Sequence, residues 1–282
     1  TGEYQIAQSA QEELVLELEK QSGRLSARMA GGAPLWLRAP VPCLDRPYTG
    51  LDARAGWGWF DALAQVRQLQ YRPAAPSLLI GEQEAQLRQS FLLTDGQGGQ
   101  GGAGELRYLL SAGRLHISME LTLAQAYAGL PRVGVELLLP QGLERLRYFG
   151  RGPEESYPDR PLAGLLQEVE TTVRAEHFPI APPSENGGHE GLRWLTLTNG
   201  QGGGLRIRCD SPLHFDAHHN AVAEYQSAQH DHELPAHGET WLHLDAAHSP
   251  IGSDLAWSTA MPEEQALRGG GYHLGFTLEP LV

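Results

Sequence analysis

The chain has 282 residues, enough to bury a full hydrophobic core as one large domain or two smaller ones. It is 41% hydrophobic and 20% charged, and its 34 glycines and 19 prolines are dispersed, which favours short strands joined by turns over long helices. A formal charge of -13 excludes a phosphate-backbone partner, which would need clustered Lys and Arg.

Thr1 to Glu13 shows no basic stretch followed by an apolar one, so no signal peptide is read there. No apolar run approaches the roughly 18 residues of a membrane span, and the cytoplasm is the expected setting. The missing initiator Met suggests a piece of a longer chain. Leu14-Val15-Leu16-Glu17-Leu18 opens the strand pattern. Phe60 to Gln68 is the best helix, short and uncapped. Gly96 to Gly104 is low in complexity and lacks Gly-Lys-Ser/Thr, so it predicts a flexible hairpin tip rather than a phosphate loop. Leu115 to Leu121 alternates cleanly. Leu192 to Leu197, Leu205 to Arg208, Trp241 to Leu244 and Tyr272 to Leu278 continue the alternation, punctuated by Asn199-Gly200 and Arg268-Gly269-Gly270-Gly271. Cys43 and Cys209 are far apart without CxxC spacing, so neither a disulfide framework nor a thiolate zinc site is indicated. The pattern predicts an all-β protein, a large antiparallel β-sandwich, in a single domain over residues 1–282.

Three segments stand out. The first is Arg147-Tyr148-Phe149-Gly150-Arg151-Gly152-Pro153-Glu154-Glu155-Ser156-Tyr157-Pro158-Asp159-Arg160, where a strand should end at Phe149 and a turn should expose acidic and aromatic side chains. The second is Pro182-Pro183-Ser184-Glu185-Asn186-Gly187, followed by Leu192 to Asn199. The third runs from His248 through Ile251-Gly252-Ser253-Asp254-Leu255-Ala256 to Trp257. Glu154, Glu155, Asp159 and Glu185 could tempt one to assign the carboxyl pair a glycosidase needs. Solvated turn carboxylates, or salt-bridge partners for Arg151 and Arg160, are the plainer reading. Among 12 histidines, His230 and His232 would share a strand face at metal-compatible spacing. No carboxylate or thiolate pattern completes a site, so surface or sandwich-edge positions are expected for them and for His214, His218, His219, His237, His243 and His248.

In this order the three segments resemble the small-chain domain of bacterial β-galactosidases of glycoside hydrolase family 2, over roughly Leu14 to Leu281. An upstream piece, Arg46-Pro47-Tyr48-Thr49-Gly50-Leu51-Asp52, is similar to the family's Arg-Ala-Pro-Thr-Asp-Asn-Asp run at Arg46, Thr49 and Asp52. The resemblance implies a galactose-mutarotase-like supersandwich at the C-terminal end of a longer enzyme. It implies no catalytic residue in this chain, both catalytic glutamates belonging to a barrel domain. Trp257 would form an apolar platform for the sugar, and a mobile loop at about Thr49 to Gly58 would border the pocket through Arg46, Asp52 and Trp57, with Trp59 as packing. Without the resemblance, Trp257 reads as a core or interface residue. The family's Gly-Gly-Asp-Asp-Ser-Trp is Gly252-Ser253-Asp254-Leu255-Ala256-Trp257 here, and the upstream loop is short. The implied partners are the barrel and other domains of the same enzyme, a galactoside and further subunits of a homo-oligomer, with no nucleic acid and no membrane. No cofactor is expected in this chain, since the parent's Mg and Na ions belong to other domains. A stand-alone carbohydrate-binding or scaffold module and a mutarotase-like aldose epimerase are the alternatives, the latter without a residue-level match.

Overall fold

The computed structural model describes residues 4–8, 14–19, 21–29, 31–52, 58–252, 263 and 265–281. A small sheet comes first, formed by β1 (Tyr4–Gln8), β2 (Leu14–Glu19) and β3 (Leu25–Met29). Then come β4 (Arg38–Cys43), α1 (Gly58–Arg67), β5 (Gln70–Pro73) and β6 (Ser77–Ile80). A meander of long strands follows: β7 (Glu84–Thr94), β8 (Gln100–Ser111) and β9 (Arg114–Leu123). Next are β10 (Ala128–Leu130), β11 (Arg132–Leu139), β12 (Arg145–Gly152), β13 (Leu165–Thr172) and the single turn α2 (Val173–Glu176). The chain closes with β14 (His189–Thr198), β15 (Gly204–His218), α3 (Val222–Ser227), β16 (Thr240–His248), β17 (Leu267–Arg268) and β18 (Gly271–Leu281).

All pairings among the described strands are antiparallel. One path runs β13-β12-β14-β15-β18-β9-β8-β7-β5, and a branch leaves β15 through β16 and β11 to β4. The long strand β15 makes the branch possible. Its first half, Gly204 to Cys209, pairs with β18, while His214 to His218 pairs with β16. The two parts of the sandwich therefore share one strand. They meet over an apolar core: Leu106, Ile117, Met119 and Phe276 on one side, Val135, Leu137, Leu242 and Leu244 on the other, all at most 0% exposed. Tyr108 on β8 donates to the Pro40 carbonyl on β4 at 3.3 Å, tying the parts together across that core.

The predicted strands and helix are present, with three differences. The helix begins two residues earlier, so Trp59 lies in α1 rather than in a loop or strand. The glycine-rich segment is only partly a tip. Asp95 accepts from Gln97 N and Gly99 N to close the turn, after which Gly102 and Gly104 are paired into β8. Phe91 crosses so near Gly104 that a Cβ there would collide with its ring. The strand expected to end at Phe149 continues to Gly152, where β13 pairs with it residue for residue.

Candidate functional site

Strands normally bury one face and wet the other, but β16 and the second half of β15 bury both. On β15, Leu213, Phe215 and Ala217 face the apolar core, while the alternating His214, Asp216 and His218 are buried on the opposite face. On β16, Leu242 and Leu244 face the core, with His243 and Asp245 behind them. Arg132 of β11 joins this second face. The register makes the set close up: Val133 pairs with Ala247 but Gly134 with Asp245, leaving an extra residue in β16. That bulge returns His248 to the polar face, directly opposite Arg132. Gly134 is obligatory at the bend, because a Cβ there would overlap Asp245 and the Leu244 carbonyl.

Arg132 is the hub. Its guanidinium pairs with Asp216, lies 3.4 Å from Asp245 and 3.6 Å from Glu185, and is fully buried. Burial lowers its pKa, but the three carboxylates outweigh this and hold it well above the ordinary value. Burial pushes Asp216 up, yet Arg132 and His243 outweigh it and keep the carboxyl well below the usual range. Asp245 gets the weaker share of Arg132, and burial lifts it to about 6. His243 bridges Asp216 (2.7 Å) and Glu136 (2.9 Å). Burial opposes its charge, but Asp216 wins and its pKa is raised well above normal. His214 contacts Glu190 at 3.0 Å and stacks on His248, ring centroids 4.3 Å apart. Burial, reinforced by the charges of His214, Arg132 and Arg46, holds His248 neutral with a pKa well below 6.5.

The sequence motifs converge on this face. Tyr157 from the first donates to Glu185 of the second at 3.4 Å, and its ring packs 5.3 Å from that of His248 in the third. Asp159 accepts from Ile251 N (3.2 Å) and Gly252 N (2.9 Å). Upstream, Arg46 and Asp52 form a buried ion pair at 3.0 Å, Thr49 N donates to Asp52, and Asp52 N donates back to the Thr49 hydroxyl. Arg46 also reaches the Pro250 carbonyl at 3.5 Å. The three upstream positions shared with the family run are thus one hydrogen-bonded unit.

Two expectations are overturned. Glu185 is no solvated turn carboxylate: at 5% exposure it is part of the Arg132 cluster. The expectation of surface histidines fails for His214, His218, His243 and His248, all buried; His189, which the sequence did not single out, is buried as well. His230 and His232 are exposed, but in a 3-10 turn with stacked rings rather than on a strand. Arg160 does pair with Glu155 (2.5 Å), whereas Arg151 donates to the Pro161 and Gly164 carbonyls. Trp57 and Trp257 lie outside the described residues. Three groups could hold a cation: Cys43, Glu136 and His243; Glu185, His214 and His248; and His214, Asp216 and Asp245.

The model of the family described as "Beta galactosidase small chain" matches residues 10–278. The chain belongs to this family. Among curated relatives, the β-galactosidase of Photobacterium profundum is 29% identical over 170 residues, 60% of this chain and 16% of that protein. That of Vibrio cholerae is 34% identical over 165 residues, 58% of this chain and 15% of its own length. The matched part of the chain thus spans only about a sixth of these relatives' length. A crystal structure of an aldose 1-epimerase candidate from Escherichia coli K12 matches at TM-score 0.51 and 14% identity, covering 98% of this chain and 99% of that one. That likeness establishes a mutarotase-like all-β fold. No described helix is long and apolar enough to cross a membrane.

Proposed function

We propose that this domain is a non-catalytic wall of a β-galactosidase that cleaves terminal β-D-galactosides with retention. The nucleophile and the general acid belong to the barrel domain, and the Mg and Na ions to other domains of the enzyme. Trp257 offers an aromatic face to the C–H face of the sugar or its aglycone. The observation that carries this reading is the pairing of two stems. Asp52, the last described residue before the upstream loop, and Gly252, the last before the Trp257 segment, are held side by side. Arg46 holds Asp52 and the Pro250 carbonyl together, Asp159 holds Ile251 and Gly252, and Gly252 lies against Leu51, close enough that a Cβ would collide. With a φ of +102°, Gly252 is also a position for glycine alone. Both segments assigned to sugar thus leave the sandwich from one point.

The carboxylates of the buried polar layer are poorly suited to hydrolysis. A retaining pair flanks an open cleft at ~5 to 5.5 Å separation. Glu185, Asp216 and Asp245 are instead buried around Arg132. The same burial counts against aldose epimerisation, which needs acid and base in contact with sugar. The two cysteines are unpaired, in keeping with a cytoplasmic enzyme.

The test is hydrolysis of a chromogenic β-galactoside by the 282-residue chain and by the complete enzyme that carries it. Activity confined to the complete enzyme is expected, and turnover by the chain alone would overturn the reading. In the complete enzyme, Trp257→Ala should raise KM while leaving Tm nearly unchanged. A large loss of Tm with normal KM would make Trp257 a core residue.

A further inference from the structure

The geometry points to a site for a divalent cation of the zinc class, bound by Glu185, His214 and His248 on the buried polar face. The inference is independent of the galactosidase reading and concerns this chain's own side chains.

One ligand atom from each of the three residues lies within 4.8 Å of the others, and all three residues are buried. The tautomers follow from their neighbours. His248 Nδ1 lies 2.7 Å from the Ser249 carbonyl, which can only accept, so that nitrogen carries a proton and donates it. His214 Nδ1 likewise donates to the Glu190 carboxylate at 3.0 Å. This is the arrangement that orients metal-binding imidazoles: one nitrogen committed to a carboxylate or carbonyl, the other turned to the ion. The remaining atoms, His214 Nε2 and His248 Nε2, are buried and have no hydrogen-bond partner. Orphaned buried polar atoms are costly and call for an occupant.

The contact between His248 and Glu185 sharpens the point. His248 Nε2 has no hydrogen-bond partner, and the nearest oxygen of Glu185 lies 3.5 Å from it. Tetrahedral zinc with bonds of about 2.05 Å would hold its ligand atoms about 3.3 Å apart; His248 Nε2 and Glu185 lie 3.5 Å apart, and all three ligand atoms lie within 4.8 Å of one another. Charge agrees: Glu185, Asp216 and Asp245 surround the single guanidinium of Arg132, and Asp216 is further shared with His243. Gly188 keeps the edge of His214 open, since a Cβ there would come within 2.8 Å of Nε2.

The competing groups lack these features. In the set of Cys43, Glu136 and His243, both imidazole nitrogens are already bonded, to Asp216 and Glu136. In the set of His214, Asp216 and Asp245, Asp216 is held by both Arg132 and His243, the latter at 2.7 Å, whereas the contacts of Glu185 with Arg132 and Tyr157 are longer, at 3.6 and 3.4 Å. Two imidazoles and one carboxylate suit zinc or cobalt rather than magnesium or calcium, which take oxygen ligands. The ion would staple the Glu185 loop to β15 and β16 just before the Gly252 stem, replacing any proton on His214 Nε2.

The probe is Co²⁺, followed by Zn²⁺, added to the full 282-residue chain after stripping with chelator. One equivalent of Co²⁺ should bind with the visible d–d bands of a tetrahedral nitrogen/oxygen site, be displaced by Zn²⁺, and raise Tm. Glu185→Gln and His248→Ala should lose this binding by at least about a hundredfold. Glu190→Gln, which touches only the outer side of His214, should weaken it by about 10–100-fold. Cys43→Ser should leave it unchanged. Absence of both the bands and the Tm rise in the unaltered chain overturns the proposal, and needs no variant to fold. Retention of full affinity in Glu185→Gln overturns it too, as does loss in Cys43→Ser, which would put the ion beside His243.

Discussion

The two parts of the sandwich are built on opposite principles although they share strand β15. Around β7, β8, β9 and β18, the buried residues are Leu106, Ile117, Met119, Leu274 and Phe276, and the opposite face of the sheet is wet. Around β11, β16 and the second half of β15, an equally apolar face is backed by a dry layer of charge centred on Arg132. Apolar packing is non-directional and forgiving of similar shapes. A buried charge network gains little net stability over an apolar layer, but it penalises any state in which one member loses its partner. The first part is thus suited to holding the fold, and the second to fixing the positions of attached loops, since Glu185, Asp159 and Arg46 all take their places at its margin.

The comparison can be broken most decisively at its hub. Arg132→Met strands three carboxylates and should cost about 3–5 kcal/mol, measured by urea unfolding. A cost below about 1 kcal/mol would mean that the charged layer is not held by that residue. The next effect is local. Gly252→Ala forces a side chain onto Leu51 at a left-handed backbone position. In the complete enzyme it should lower kcat/KM about tenfold, worth roughly 1.4 kcal/mol, with little change in the cooperative unfolding of the domain. Equal losses of stability and activity would erase the distinction between stem and scaffold. In the apolar part, Ile117→Val should cost about 1 kcal/mol and leave galactoside hydrolysis by the complete enzyme of the proposed function untouched. A kinetic defect there would show that the two parts are coupled.

The smallest effect concerns Glu224 at the start of α3. Burial pushes its carboxyl up, but His237, the Ala221 amide and Asn220 outweigh this and hold its pKa below the usual value. A depressed folded pKa means that the charged form stabilises the fold above the ordinary carboxylate pKa of about 4.3, and that this stabilisation fades as pH falls through the folded value. Glu224→Gln should therefore lower Tm slightly at neutral pH, with the gap closing in acid. A gap that persists in strong acid would assign the effect to shape rather than charge.

Sequence alone was enough for the class of fold, because period-2 alternation in Leu115 to Leu121 or Tyr272 to Leu278 is a local consequence of strand geometry. It was also enough for the family, since the motif around Gly150 to Arg160 is contiguous. The Arg46, Thr49 and Asp52 unit was visible as spacing, and its closure into a hydrogen-bonded turn follows from side chains three and six residues apart. The polar layer was not legible. His214, Asp216 and His218 alternate with Leu213, Phe215 and Ala217, which is how a strand with one wet face also reads. Whether that second face meets water depends on Tyr157 and Glu185 arriving from distant segments. The bulge between Val133 and Gly134 hid the rest: simple alternation puts His248 and Asp245 on opposite faces, and one extra residue in β16 brings them together. Local periodicity decides what a strand is; only long-range pairing decides what covers it.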